Sequence, residues 1–236
     1  MPTSQHVFTY EFLTGDQSKL IDQAAQCLTR SFIGVEIEGK WVQEPMCGVL
    51  NINDDDFYQF TKDYLESTVD QGFCMIARDQ EDQVVGVLAG DTNAPEIIGE
   101  DVFKGSFADM NVILHVLEDV DKRFMEDYKK QKGKEIEDGE LVHLFMLGVT
   151  AKEGRHDIIK QLGKGLIEKA STNGMKALYG EATNIRSIRV MEKYHGFKKY
   201  KDINGSHIVY KYRDNSRLNQ ISPDHGDGTY LLIKEL

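Results

Sequence analysis

The stretch from Val149 to Gly174, "VTAKEGRHDIIKQLGKGLIEKASTNG", leaves the apolar run "LVHLFMLGV" and closes on Asn-Gly, the pattern of a strand followed by a helix. A helix start carries unpaired backbone N–H groups and the positive end of the helix dipole, which together suit an anion such as phosphate. Arg155 and Lys160 add positive charge there, with His156 adjacent. Asp157 works the other way: a carboxylate in the first turn stabilises the helix by roughly 0.3–1 kcal/mol, yet repels an incoming phosphate if it points inward.

Other residues of chemical type have plainer explanations. Asp54, Asp55 and Asp56 follow Asn53, which reads as a helix cap with an acidic first turn rather than a metal site. His115 has no suitably spaced histidine partner and reads as packed or exposed. His143 alternates with the core-facing positions of its strand and reads as structural. Cys27, Cys47 and Cys74 show no CxxC spacing, so neither a disulfide framework nor a cysteine-rich zinc site is expected.

These residues need elements to hold them. "HVFTYEFLT" reads as a strand and "QSKLIDQAAQCLTRSF" as an amphipathic helix. The segment "IGVEIEGKWVQEPMCGVLNIN", with the only tryptophan, Trp41, has no sustained period and reads as a functional loop or lid, or as a structural connection. A helix from Asp54, a hairpin of "GFCMIARD" and "QVVGVLAGDT", and a long helix bearing Val112, Ile113, Val116, Leu117, Val120 and Phe124 on one face come next. The run "LVHLFMLGV" is apolar almost throughout, as in a central strand covered on both faces. "KALYGEA", a helix at "SIRVMEKY" and strands in "FKKYKDI", "SHIVYKY" and "TYLLIKEL" complete a β-α-α-β-β-α-β-α-β-α-β-β order, which predicts a mixed α+β sheet rather than a doubly wound parallel one.

The 236 residues can bury a core of their own. Lys plus Arg number 28 against 39 Asp plus Glu, a net charge of -11, which argues against a nucleic-acid partner. That acidity either steers cationic small molecules or serves solubility. No segment approaches ~18 uninterrupted apolar residues, and "MPTSQHVFTY" lacks a basic region followed by an apolar core, so a soluble cytoplasmic protein without a membrane partner is expected.

"LFMLGVT", the helix after it, and "KALYGEATNIRSIRVMEKYHGF" resemble the GCN5-related N-acetyltransferase (GNAT) superfamily. Leu147 and Val149 match its Leu-x-Val-like strand end; Asn184, Ser187, Gly196 and Phe197 match its Asn-x-x-Ser and Gly-Phe elements. "QEPM", the long helix before the core strand and "TYLLIKEL" resemble the arylalkylamine N-acetyltransferase branch.

The resemblance implies a single N-acetyltransferase-like domain over residues 1–236, with a mostly antiparallel mixed sheet flanked by helices and a helical insertion at about 93–139. It implies acetyl transfer from acetyl-coenzyme A to a primary amine of a small molecule. Alternatives are a protein lysine or N-terminal acetyltransferase, or an inactive GNAT-fold protein that binds coenzyme A or serves as an interaction surface. Glu44 maps onto the branch's general base. Coenzyme A contacts are implied at Leu147, Gly148 and Val149, from Gly154 through Arg155, His156, Asp157, Ile158 and Ile159 to Lys160, and at Asn184 and Ser187. The family's phosphate loop reads Arg/Gln-x-x-Gly-x-Gly/Ala, whereas here Gly154 holds the Arg/Gln position and Asp157 and Ile159 replace the small residues. The loop therefore either binds phosphate through main-chain N–H groups or has lost that role. The family's thiolate-protonating tyrosine maps onto Met191, which cannot donate a proton; either Tyr194 substitutes or no dedicated acid is used. A monomer or a homodimer is compatible with the sequence.

Overall fold

The computed structural model describes residues 7–37, 39–95, 102–137, 139–152 and 154–236. Its strands are β1 (Thr9–Phe12), β2 (Val35–Ile37), β3 (Lys40–Val42), β4 (Cys74–Arg78), β5 (Val84–Asp91), β6 (Leu141–Val149), β7 (Ala177–Ala182), β8 (Lys198–Lys199), β9 (Val209–Lys211) and β10 (Gly228–Glu235). Its α-helices are α1 (Ser18–Ile33), α2 (Pro45–Leu50), α3 (Asp54–Thr68), α4 (Met110–Lys132), α5 (Arg155–Thr172) and α6 (Ile185–His195). The main sheet runs β1-β4-β5-β6-β7-β10-β8, with β9 also on β10. Every pairing in it is antiparallel except β6 with β7. This is the mixed α+β architecture expected from the element order.

Two cores sandwich the sheet. On one face α1, α2, α3 and the first half of α4 bury Leu28, Met46, Tyr64 and Ile113 against Ile76, Val87 and Met146. On the other, α5 and α6 bury Ile158, Leu162, Leu166 and Ile188 against Met75, Leu88, Val149 and Leu178. Covering both faces is why β6 carries apolar residues at nearly every position. The second half of α4 continues across the sheet, setting Val120, Phe124 and Tyr128 against Leu141, Tyr179 and Leu231.

Asn53 caps α3, its side chain accepting the Asp56 N–H at 3.0 Å, so the three aspartates occupy the first turn as expected. The segment after α1 is more ordered than an irregular loop: β2 and β3 pair, and α2 follows at once. Trp41 is 67% exposed, with its indole over Gly34. Only the end of the segment, from Val42 to Cys47, borders a cavity that is also walled by α3, α4 and β6. Part of the expected insertion, residues 96–101, lies outside the described residues.

Candidate active site

The site begins where two strands part. Strands β6 and β7 pair in parallel only from Leu141 to His143 against Ala177 to Tyr179. Beyond that point β6 stays bonded to β5, and β7 to β10, so the facing edges of β6 and β7 diverge. Gly180 stands at the fork, where a Cβ would lie 2.7 Å from the Leu144 carbonyl oxygen. A register shift of β6 against β5 near Phe145 bends the strand further and re-aims the residues after it.

A cavity of about 230 Å³ occupies the fork. Its walls come from the segment before α2, from Phe57 and Phe60 of α3, Met110, Ile113 and Leu117 of α4, β6 from Leu144 to Val149, and the starts of α5 and α6. Of the residues singled out in the sequence, the fold brings Glu44, Leu147, Val149, Arg155, Ile159, Asn184 and Ser187 to this lining.

Glu44 is the N-cap of α2, with Pro45 at the first helical position. Its Oε2 accepts the Cys47 N–H at 2.8 Å. Oε1 is buried without a hydrogen-bond partner among the described residues. Burial pushes the Glu44 carboxyl above its ordinary range, against the opposing pull of the Cys47 N–H and the nearby Thr183 hydroxyl. A buried carboxylate with a free oxygen in a cavity is poised to take a proton.

The start of α5 keeps the features of an anion site despite its lost glycines. Gly154 supplies the turn at φ +68, and the Asp157 and Ile158 N–H groups bond back to its carbonyl. The Arg155 and His156 N–H groups have no main-chain acceptor among the described residues, as expected for a first turn. Asp157 points outward: its side chain is 76% exposed and pairs with Lys160 at 3.6 Å. The Arg155 guanidinium folds inward to the Val149 carbonyl, and burial lowers its pKa, with Arg186 a further cause. Arg186, which the sequence reading did not single out, donates to the Gln43 carbonyl at 2.9 Å and joins Arg155 on the cavity lining.

At α6, Asn184 and Ser187 form a capping box. The Asn184 side chain accepts the Arg186 and Ser187 N–H groups at 3.0 Å, and the Ser187 hydroxyl accepts the Asn184 N–H at 3.2 Å. Their spacing therefore has a structural function as well as a place in the cavity. Gly148, Gly154, His156, Asp157, Ile158 and Lys160 are not among the lining residues. Ile158 instead packs in the core, and Gly148 admits Ser31 of α1 at a distance where a Cβ would clash.

Met191 and Tyr194 occupy different surroundings. Met191 lines the cavity, whereas the Tyr194 ring lies beside His156, 6.0 Å between centroids, and under the Lys160 ammonium. His195, one residue on, does reach the lining. It is buried, its Nε2 has no partner among the described residues, and burial together with Lys234 lowers its pKa. The sequence reading did not single it out. His143 is clamped between Asp91 and Glu181 below the fork.

No protein-family sequence model matches the chain, and no curated protein matches it in sequence. Solved structures do. The C-terminal condensation domain of Ebony, in complex with beta-alanyl-dopamine, superposes with a TM-score of 0.71 at 14% identity, over 98% of this chain and 100% of that one. A Drosophila melanogaster polyamine N-acetyltransferase that forms N-acetylagmatine gives 0.63 at 16% identity, over 98% and 100%. Arylalkylamine N-acetyltransferase 2 from Aedes aegypti gives 0.61 at 17% identity, over 97% and 98%. With the strand order and the β6/β7 fork, these likenesses show that the chain has the GNAT N-acetyltransferase fold, in the form taken by arylalkylamine and polyamine N-acetyltransferases.

Proposed function

We propose that the protein transfers the acetyl group of acetyl-coenzyme A to a primary amine of a small molecule, with Glu44 as the proton acceptor. The observation that carries this reading is the buried, unpartnered Oε1 of Glu44 in the cavity at the strand fork. An alkylamine, with a pKa near ~10.4, enters mostly protonated and must lose a proton before it can attack. The raised pKa of Glu44 makes it a better acceptor than an exposed glutamate.

The residues present fit coenzyme A. The Arg155 and His156 N–H groups at the start of α5 would meet the pyrophosphate, with the Arg155 and Arg186 guanidiniums supplying charge. The outward turn of Asp157 removes the repulsion that its sequence position threatened. When bound, the coenzyme supplies an activated acyl thioester. The diverging edge of β6 near Leu147 and Val149 offers main-chain donors for the acyl oxygen. With Met191 at the cavity and Tyr194 beside His156, no dedicated acid is assigned to the departing thiolate, which takes its proton from water; a thiol pKa near ~8.5 allows this. The enclosing α3 and α4 side chains favour a small acceptor over a peptide.

Titration calorimetry with acetyl-coenzyme A, followed by thiol release on a panel of amines, tests this. Micromolar binding that weakens about tenfold or more in Arg155→Ala is expected. Glu44→Gln should retain that binding while losing turnover. Absence of binding up to millimolar concentration, or full turnover in Glu44→Gln, would reject the reading.

A further inference from the structure

The cavity passes through the fork from one face of the sheet to the other. Met46, Phe57 and Ile113 wall it on the side of α1 to α4, where Glu44 caps α2. Ile159, Met191 and His195 wall it on the side of α5 and α6. An amine that gives its proton to Glu44 fills the first side, so the second is left to the coenzyme that starts at the first turn of α5.

On that second side His195 is incomplete. It is 7% exposed, and its Nε2 is buried without a hydrogen-bond partner among the described residues. The ring rests directly on the backbone of α5, since a Cβ on Gly163 would lie 2.0 Å from His195 Cε1. Burial and the Lys234 ammonium both disfavour a charged ring, so the imidazole is neutral and carries one proton. The Tyr194 main chain offers a hydrogen bond that favours a ring proton. Because Nε2 is the unpartnered nitrogen, that proton falls to Nδ1 and Nε2 is left as an acceptor. What the cavity lacks at this point is a hydrogen-bond donor.

Helix α5 sets the depth at which that donor must lie. Gly163 follows Arg155 by eight residues. At about 1.5 Å per residue, the ring therefore sits about 12 Å along the helix from the first turn. An extended covalent chain covers about 3.5 Å per three bonds, so about 12 Å corresponds to about ten bonds. Counted from the phosphorus of a pyrophosphate at the start of α5, about ten bonds along the pantetheine arm end on the nitrogen of the amide nearest the thiol.

We propose that His195 Nε2 accepts the N–H of that amide, which makes His195 a coenzyme-binding residue that fixes the arm just short of the acyl thioester. The inference rests on the coenzyme binding put forward above. The bond pairs two buried polar groups at once, and each is costly to leave unpaired.

The test compares three ligands by calorimetry on the wild type, His195→Ala and His195→Gln. Coenzyme A carries the whole arm; desulfo-coenzyme A keeps both amides but has no sulfur; adenosine diphosphate keeps the pyrophosphate but has no arm. His195→Ala is expected to weaken coenzyme A and desulfo-coenzyme A about tenfold and to leave adenosine diphosphate unchanged. The unchanged nucleotide also shows that the variant is folded with the start of α5 intact. His195→Gln, whose amide oxygen can accept the same bond, should recover most of the loss. A second readout needs only the wild type: in nitrogen NMR of the labelled protein, the His195 ring should carry its proton on Nδ1, and its Nε2 signal should move with desulfo-coenzyme A but not with adenosine diphosphate. A loss in His195→Ala seen with coenzyme A and absent with desulfo-coenzyme A would put the sulfur at Nε2 and overturn the inference. Equal losses for all three ligands, or an Nε2 signal that desulfo-coenzyme A does not move, would overturn it too. A wild type that does not bind coenzyme A rejects the acetyltransferase reading together with this contact. Binding that shows the His195 effect without any acetyl transfer rejects that reading alone.

Discussion

At the scale of single residues, Glu44, the proposed proton acceptor, is held at a cost to stability. Its folded pKa lies above its unfolded value, so the native state binds the proton more tightly than the unfolded chain does. Its ionisation therefore destabilises the fold as pH rises through the folded pKa, and the penalty is absent below the unfolded pKa near ~4.3. Glu44→Gln should accordingly raise the melting temperature at pH 8 by a few degrees, with the gain vanishing near pH 4, while kcat/KM falls about 10²–10⁴-fold. Thermal scans at the two pH values and steady-state kinetics check both halves. The acid limb of kcat/KM in the wild type should titrate above an ordinary glutamate and disappear in the variant. The resemblance carried by "QEPM" pointed to Glu44 as a base, but its burial and raised pKa were not readable there, because a Glu-Pro pair is a surface turn unless something buries it.

At the scale of elements, the packing of α5 against α6 and against β4 explains two glycines that look wrong in a helix. A Cβ on Gly163 would lie 2.0 Å from the His195 ring, and one on Gly165 would lie 2.6 Å from Met75 Cε. The helix gives up about 1 kcal/mol of propensity at each to let its neighbours approach. Gly163→Ala is therefore expected to destabilise by roughly 1–3 kcal/mol despite its better helix propensity, and His195→Ala should relieve much of that loss in the double variant. Denaturant unfolding of the four proteins measures the coupling; additive effects would show that the two residues do not press on each other. Sequence alone could not name that neighbour, since Gly163 and His195 are 32 positions apart.

At the scale of the whole molecule, the net charge of -11 would act with opposite sign on the two substrates proposed above. Its field attracts a cationic amine and repels a polyanion such as acetyl-coenzyme A, so the proposed reaction needs local capture at Arg155, Arg186 and the start of α5. Raising ionic strength from about 0.05 M to about 0.5 M shortens the screening length from roughly 14 Å to roughly 4 Å. The KM for a cationic amine is then expected to rise several-fold, while that for acetyl-coenzyme A changes less or falls. Initial rates at fixed pH with each substrate varied in turn provide the measurement. Among the described residues no helix is long and apolar enough to cross a membrane.

The sequence by itself determined the order of the elements, because apolar periodicity, helix caps and turn residues are local and act within a few positions. The Asn53 cap, the doubly covered β6 and the β4–β5 hairpin all followed from that local chemistry. It also located part of the candidate cavity, since Leu147, Val149, Arg155 and Asn184 fall next to one another once a strand, a helix and a second strand are assembled. Only the tertiary structure decided which polar groups are buried and which are satisfied. The outward Asp157, the inward Arg155, the reach of His195 in place of Tyr194, and the open oxygens of Glu44 and Glu181 each depend on side chains from distant segments. Burial and hydrogen bonding set the charge and reactivity of those groups, and both are properties of the surroundings, not of the residue type.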